Sequence, residues 1–154
     1  MNIRPYTQND LAAIFDIYSH SKLDELKFED REFTLLPLEM DDVRLSGLME
    51  SEIYVYQEQG AIFGFGAVCV NEIRALFVLP EHRGKGVGKK LLEFLLSHIK
   101  DQACLYVAST NQPAKYLYQR YGFSVADTFE TTYNQVPVMA QKMVCITPVN
   151  STGV

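Results

Sequence analysis

Between Pro80 and Leu91 the chain gathers residues suited to holding an anion: Arg83, Gly84, Lys85, Gly86, Val87, Gly88, Lys89 and Lys90 follow one another. Alternating glycines leave backbone N–H groups unobstructed, and they stand where an apolar helical spacing begins. Such donors at a helix N-terminus suit a phosphate. For the glycines alone, a flexible turn with solvated lysines is an equally good reading. Two phosphate motifs are excluded by register. A P-loop needs glycine where Arg83 stands and Ser or Thr where Lys90 stands. A dinucleotide fingerprint needs a small residue at Lys89 or at Leu91, depending on its starting glycine.

The elements that must position this loop follow from periodicity. Glu72 to Val78 reads as a strand ended by Leu79-Pro80, and Val87 to Lys100 as an amphipathic helix through Val87, Leu91, Leu92, Leu95, Leu96 and Ile99. Strand, glycine loop and helix form the central unit. Upstream, Ile3-Arg4-Pro5 is a short strand, and Thr7 with Asp10 caps a helix running to about Ser19. Residues 21–37 are irregular, 38–49 carry helical spacing, and 52–57 with 61–70 form a hairpin around Glu58-Gln59-Gly60. Downstream come a strand at 103–108, a helix at 111–121 with Pro113 in its first turn and Gly122 after it, and closing strands at 123–129 and 138–146 joined through Asn134-Gln135. The pattern predicts an α/β domain over 1–147, its mixed sheet mostly antiparallel, with a flexible tail at 148–154.

Composition narrows the function classes. A chain of 154 residues with 47% hydrophobic content fits one globular domain. No stretch is long and apolar enough for a membrane span and the first residues lack a signal-peptide pattern, so a cytoplasmic setting without membrane attachment is expected. The net charge of −5 argues against nucleic acid as a partner. Cys69, Cys104 and Cys145 lie far apart among apolar neighbours, which fits buried thiols better than disulfides or a metal site.

Arg83, Gly86 and Gly88 fill the pattern Gln/Arg-x-x-Gly-x-Gly/Ala in register, and Ala114, Tyr118, Gly122 and Phe123 fill Ala-x-x-x-Tyr-x-x-x-Gly-Phe. With the flanking strands and helices, these two signatures resemble the GNAT superfamily of N-acetyltransferases, over most of the chain beyond Glu52. The resemblance implies acetyl-CoA as cosubstrate, no metal, and direct attack by a primary amine in a ternary complex. It implies pyrophosphate binding by Arg83, Gly84, Lys85, Gly86, Val87, Gly88 and Lys89, strand-like contact of the pantetheine arm with Phe77 and Val78, and a CoA contact at Asn111. Tyr118 takes the family position of the general acid for the leaving thiolate, against a plain packing role beside Tyr116 and Tyr121. Glu72, eleven residues before Arg83, stands where one branch of the family carries a general base. It could equally position water, bind the acceptor or lie on the surface. The competing class is a non-catalytic acyl-CoA sensor or regulatory module.

The acceptor is not named by the sequence. Acidic residues cluster from Asp24 to Asp42, where the family's acceptor-binding helices fall, and this suits either a cationic amine or a solvated surface. Tyr6, Tyr54, Tyr56, Phe63, Phe65 and Tyr133 could line a pocket or fill the core. His20, His82 and His98 read as surface or capping residues. An exposed strand edge could support a homodimer.

Overall fold

The computed structural model describes residues 2–145. Ile146 and the tail expected at 148–154 lie outside the described residues. The strands are β1 (Ile3–Pro5), β2 (Glu52–Glu58), β3 (Ala61–Cys69), β4 (Glu72–Val78), β5 (Ala103–Ala108), β6 (Ser124–Tyr133) and β7 (Val136–Cys145). The α-helices are α1 (Leu11–Ser21), α2 (Asp42–Met49), α3 (Val87–Leu96) and α4 (Gln112–Arg120). All the strands form one sheet in the order β1-β2-β3-β4-β5-β7-β6. Every neighbouring pair is antiparallel except β4 and β5, which are parallel.

That parallel pair shapes the molecule. β4 and β5 meet in register at Glu72 and Cys104, and the backbone N–H of Cys104 donates to Asn71 O at 2.9 Å. Beyond Glu72 the strands part. Across from β3, β4 carries one extra residue at Arg74, because Ala67 pairs with Ala75 while Val68 pairs with Ile73. A bulge of this kind bends a strand and increases its local twist, and here it falls where β4 departs from β5.

Helix α3 packs on the sheet through Leu91, Leu92, Leu95 and Leu96, all essentially buried. The fit depends on β3 being bare at two places. A Cβ on Gly64 would lie 2.7 Å from the carbonyl oxygen of Phe77, and one on Gly66 would lie 2.8 Å from Leu95 Cδ1. The opposite face is covered by α1 and α2, with Ile14, Ile17, Val55, Phe65, Ala67 and Phe77 at its centre.

Residues 22–41 contain no α-helix. A 3₁₀ turn at Lys22–Leu26 is followed by irregular chain and a second turn at Leu38–Met40. This strap is fixed to the β6–β7 hairpin: Leu36 N–H donates to the Tyr133 hydroxyl at 2.8 Å, and Asn134 Nδ2 donates to Thr34 O at 2.9 Å. Leu26, Tyr133 and Val138 form the small core beneath it.

Several boundaries differ from the periodicity reading. The helix expected over 38–49 splits, because the Asp41 side chain accepts from Arg44 N–H at 3.2 Å and starts α2 afresh. α3 ends at Leu96 rather than 100, since Ser97 Oγ and His98 Nδ1 both turn back to the carbonyl of Phe94. Ile99 nevertheless stays in the core, 1% exposed. β6 and β7 extend towards each other until only Asn134 and Gln135 separate them. Of the three cysteines, Cys145 is buried, its thiol donating to Tyr121 O at 3.3 Å, and Cys69 and Cys104 are half-buried.

Candidate active site

The gap between β4 and β5 opens into a cleft of about 820 Å³. Leu76, Phe77 and Val78 form one wall, Tyr106, Val107 and Ala108 the other, and the glycine loop closes one end. α4 contributes Ala114, Leu117 and Tyr118 and its N-cap is Asn111, also in the lining, while Ser21 at the end of α1 and the strap from Lys22 to Phe28, except Leu23, line the other side.

At the loop end, Gly84 and Gly86 sit at φ +79° and +83°, conformations that other L-residues adopt only with strain. Gly86 is the N-cap of α3. The N–H groups of Val87, Gly88 and Lys89 therefore precede any intrahelical acceptor and carry the positive end of the helix dipole. Arg83, Gly84, Gly86, Val87, Gly88 and Lys89 all line the cleft. Lys85 does not: its Nζ lies 3.4 Å from His82 Nδ1, and His82 stacks on Phe63. Arg83 spans the cleft mouth. Its Nη1 donates to Asp24 Oδ2 of the strap at 2.7 Å and its Nε donates to Val78 O at 3.2 Å. Ser21 Oγ donates to that same carbonyl at 3.3 Å. Val78 O thus points away from β3, into the space left by the departure of β5.

Farther in, Tyr118 packs edge-on against Phe123, with ring centroids 5.9 Å apart. The surrounding atoms enclose most of it while it remains open to the cleft. Burial, with a smaller contribution from the charge of Glu25, pushes its phenol well above the ordinary tyrosine range, so the hydroxyl keeps its proton at neutral pH. Its hydroxyl has no hydrogen-bond partner among the described residues.

Glu72 lies apart from these groups. It occupies the paired root of β4, accepts from Arg74 Nε at 3.2 Å and is not among the cleft-lining residues. Arg74 is further held by Glu50 and by Gly47 O. Of the aromatic pocket candidates, Tyr133 lines the main cleft. Phe65 borders a second cavity of about 200 Å³, which shares Lys22, Arg44 and Phe77 with the cleft. Tyr54 and Tyr56 are buried in the core.

The acidic segment divides by position. Asp24 pairs with Arg83, Glu25 Oε1 accepts from Lys22 Nζ at 2.9 Å, and Asp41 pairs with Arg44 at 3.2 Å. Asp30, by contrast, is a surface charge, its side chain 95% exposed. Lys22 and Arg44 lie 5.3 and 5.0 Å from the centroid of the Tyr133 ring, within cation–π range. Sequence reasoning singled out neither Lys22 nor Arg44 and gave Glu25 no individual role. The one available signal was the concentration of charge in a segment without periodicity.

A model of the GNAT acetyltransferase domain matches residues 49–125, which run from the end of α2 into β6. The chain is 28% identical to the peptidyl-lysine N-acetyltransferase YiaC of Escherichia coli over 138 residues, covering 88% of this chain and 91% of that protein. It is 27% identical to the L-amino acid N-acyltransferase MnaT of the same organism over 138 residues, 81% of this chain and 80% of the other. Among solved structures, yncA of Salmonella typhimurium with its cofactor acetyl-CoA superposes with a TM-score of 0.68 at 22% identity, over 95% of this chain and 93% of that one.

Proposed function

From the premise that the chain belongs to the GNAT acetyltransferase family and is an N-acetyltransferase, we propose how its cleft divides between acetyl-CoA and an amine. The pyrophosphate is held by the N–H groups from Gly84 to Lys89, with Arg83 and Lys89 supplying charge. The pantetheine arm runs beside Leu76, Phe77 and Val78 as an added strand, and Asn111 contacts CoA from the start of α4. Lys85, turned towards His82, contributes long-range charge more than contact.

One observation carries this reading: a single cleft joins the glycine loop at its mouth to the unpartnered Tyr118 hydroxyl within. Acetyl-CoA supplies an acyl group activated as a thioester. The chain supplies donors where charge develops, and Tyr118 hydrogen-bonds the departing thiolate and delivers its proton as that charge forms. An acyl-CoA sensor without turnover is not favoured, since the curated relatives are transferases.

The acceptor amine enters from the strap side, where Lys22, Glu25, Arg44 and Tyr133 lie. The relatives' acceptors, peptidyl lysine and L-amino acids, define the first amines to test. Calorimetric titration with acetyl-CoA, CoA, ATP and NAD tests the cofactor assignment, and CoA release with those amines tests transfer. Saturable binding of the CoA species alone is expected. Folded protein that binds neither CoA species would remove the reading.

A further inference from the structure

The reaction needs a group that takes the proton from the incoming ammonium, and Glu72 lies outside the cleft that would receive it. Among the carboxylates that do line the cleft, Asp24 is engaged by Arg83 at the loop end. Glu25 is the next residue along the same 3₁₀ turn and is placed differently. Its side chain is 36% exposed, and Oε1 accepts from Lys22 while Oε2 has no partner among the described residues. Its charge acts on Tyr118 from α4, Tyr18 from α1 and Tyr133 from β6. The carboxylate therefore lies among the elements that converge on the acceptor side of the cleft.

We infer that Glu25 receives the acceptor's ammonium group and serves as the general base of acetyl transfer, opposite Tyr118. This rests on the transferase reading above. Glu25 takes one proton from the ammonium and releases it to solvent. The neutral amine then attacks the thioester carbonyl, forming the N–C bond. As the C–S bond breaks, the second amine proton passes to Glu25 and the Tyr118 proton passes to sulfur. The Glu25 carboxylic acid then reprotonates the Tyr118 phenolate, leaving amide and free CoA thiol with both side chains restored. The charged and titratable groups around the carboxylate are Lys22 and Asp24 on its own turn, Tyr18, Tyr118 and Tyr133, which its charge reaches, and Arg44, which lines the same cleft and is paired with Asp41.

The test compares Glu25→Gln, Lys22→Gln and Glu72→Gln, using acetyl-CoA and whichever amine the unaltered protein acetylates fastest among a lysine peptide and free L-amino acids. Glu25→Gln is expected to lower kcat/KM at least a hundredfold, to abolish the acidic limb of the pH–rate profile, and to leave acetyl-CoA affinity within about twofold. Amine binding to its CoA complex, read by calorimetry without turnover, should weaken about tenfold. Lys22→Gln breaks the same ion pair but keeps the carboxylate, and should retain the acidic limb, as should Glu72→Gln. A Glu25→Gln protein with an unchanged pH profile, or a Lys22→Gln protein with the same loss, overturns the assignment. Failure of the unaltered protein to release CoA with any of these amines overturns the transferase reading itself.

Discussion

In the proposed reaction the phenol of Tyr118 and the guanidinium of Arg83 mark the two ends of the cleft. Replacing Tyr118 by Phe keeps the ring against Phe123 and removes only the hydroxyl. Turnover should fall about a hundredfold while acetyl-CoA affinity stays within about twofold, measured by CoA release and calorimetry. Arg83 is paired with Asp24 across 2.7 Å, both side chains about 40% exposed. A pyrophosphate must compete with that carboxylate, so Asp24→Asn should tighten CoA binding about two- to fivefold, a range set by the modest strength of exposed pairs. Asp10 shows the same chemistry in a structural setting. Its carboxylate accepts from Arg4 Nη1 and Nη2 and from the Thr7 N–H, and the Arg4 guanidinium holds its pKa down at about 2. A lowered carboxylate pKa contributes stability that is complete above its unfolded value near 4 and lost as pH falls towards 2. With the guanidinium partly exposed, the loss is on the order of 1–2 kcal/mol. Urea unfolding at pH 5 and pH 2.5 should show it in the unaltered protein and not in Asp10→Asn.

At the scale of elements, β3 and β4 hold the site because α3 lies hard against them. Gly64→Ala would set a Cβ against the Phe77 carbonyl oxygen at 2.7 Å, a backbone atom that cannot swing aside. The expected cost is about 1–3 kcal/mol, seen as a fall of several degrees in Tm, with weaker CoA binding because Phe77 and Val78 shift. This part of the molecule was legible in the sequence. The β-rich composition of β2 and β3, the leucine spacing of α3 and the residues flanking α4 are local signals, and they placed the loop, Asn111 and Tyr118 on their elements. The strap was not legible, because its order comes from distant side chains meeting backbone, as Tyr133 meets Leu36 and Asn134 meets Thr34, and such bonds leave no period. The length of the last hairpin was hidden for another reason. Asn134 and Gln135 both adopt positive φ, 47° and 69°, making a tight two-residue turn without the glycine that usually announces one. Even Ile99 misled only in part, as its apolar character serves the core past the end of α3.

At the scale of the molecule, the cleft is a seam between one strand-and-helix unit and a lid of irregular chain tied to a hairpin. Tyr133→Phe would remove the acceptor for Leu36 N–H and loosen that tie by about 1 kcal/mol. Hydrogen exchange over residues 27–36 should quicken in this variant, while exchange in α3 stays as it was. The 3₁₀ turn at Lys22–Leu26 has a wider consequence. It sets Asp24 against Arg83, the arginine proposed to hold the cofactor, and, one residue on, Glu25 in the half of the cleft assigned to the amine. On this reading the two ligands lean on adjacent residues of one turn and share a coupling free energy, and coupling is reciprocal. A change that shifts the backbone of this turn, and so moves Asp24 and Glu25 together, should therefore alter CoA affinity along with the choice of amine.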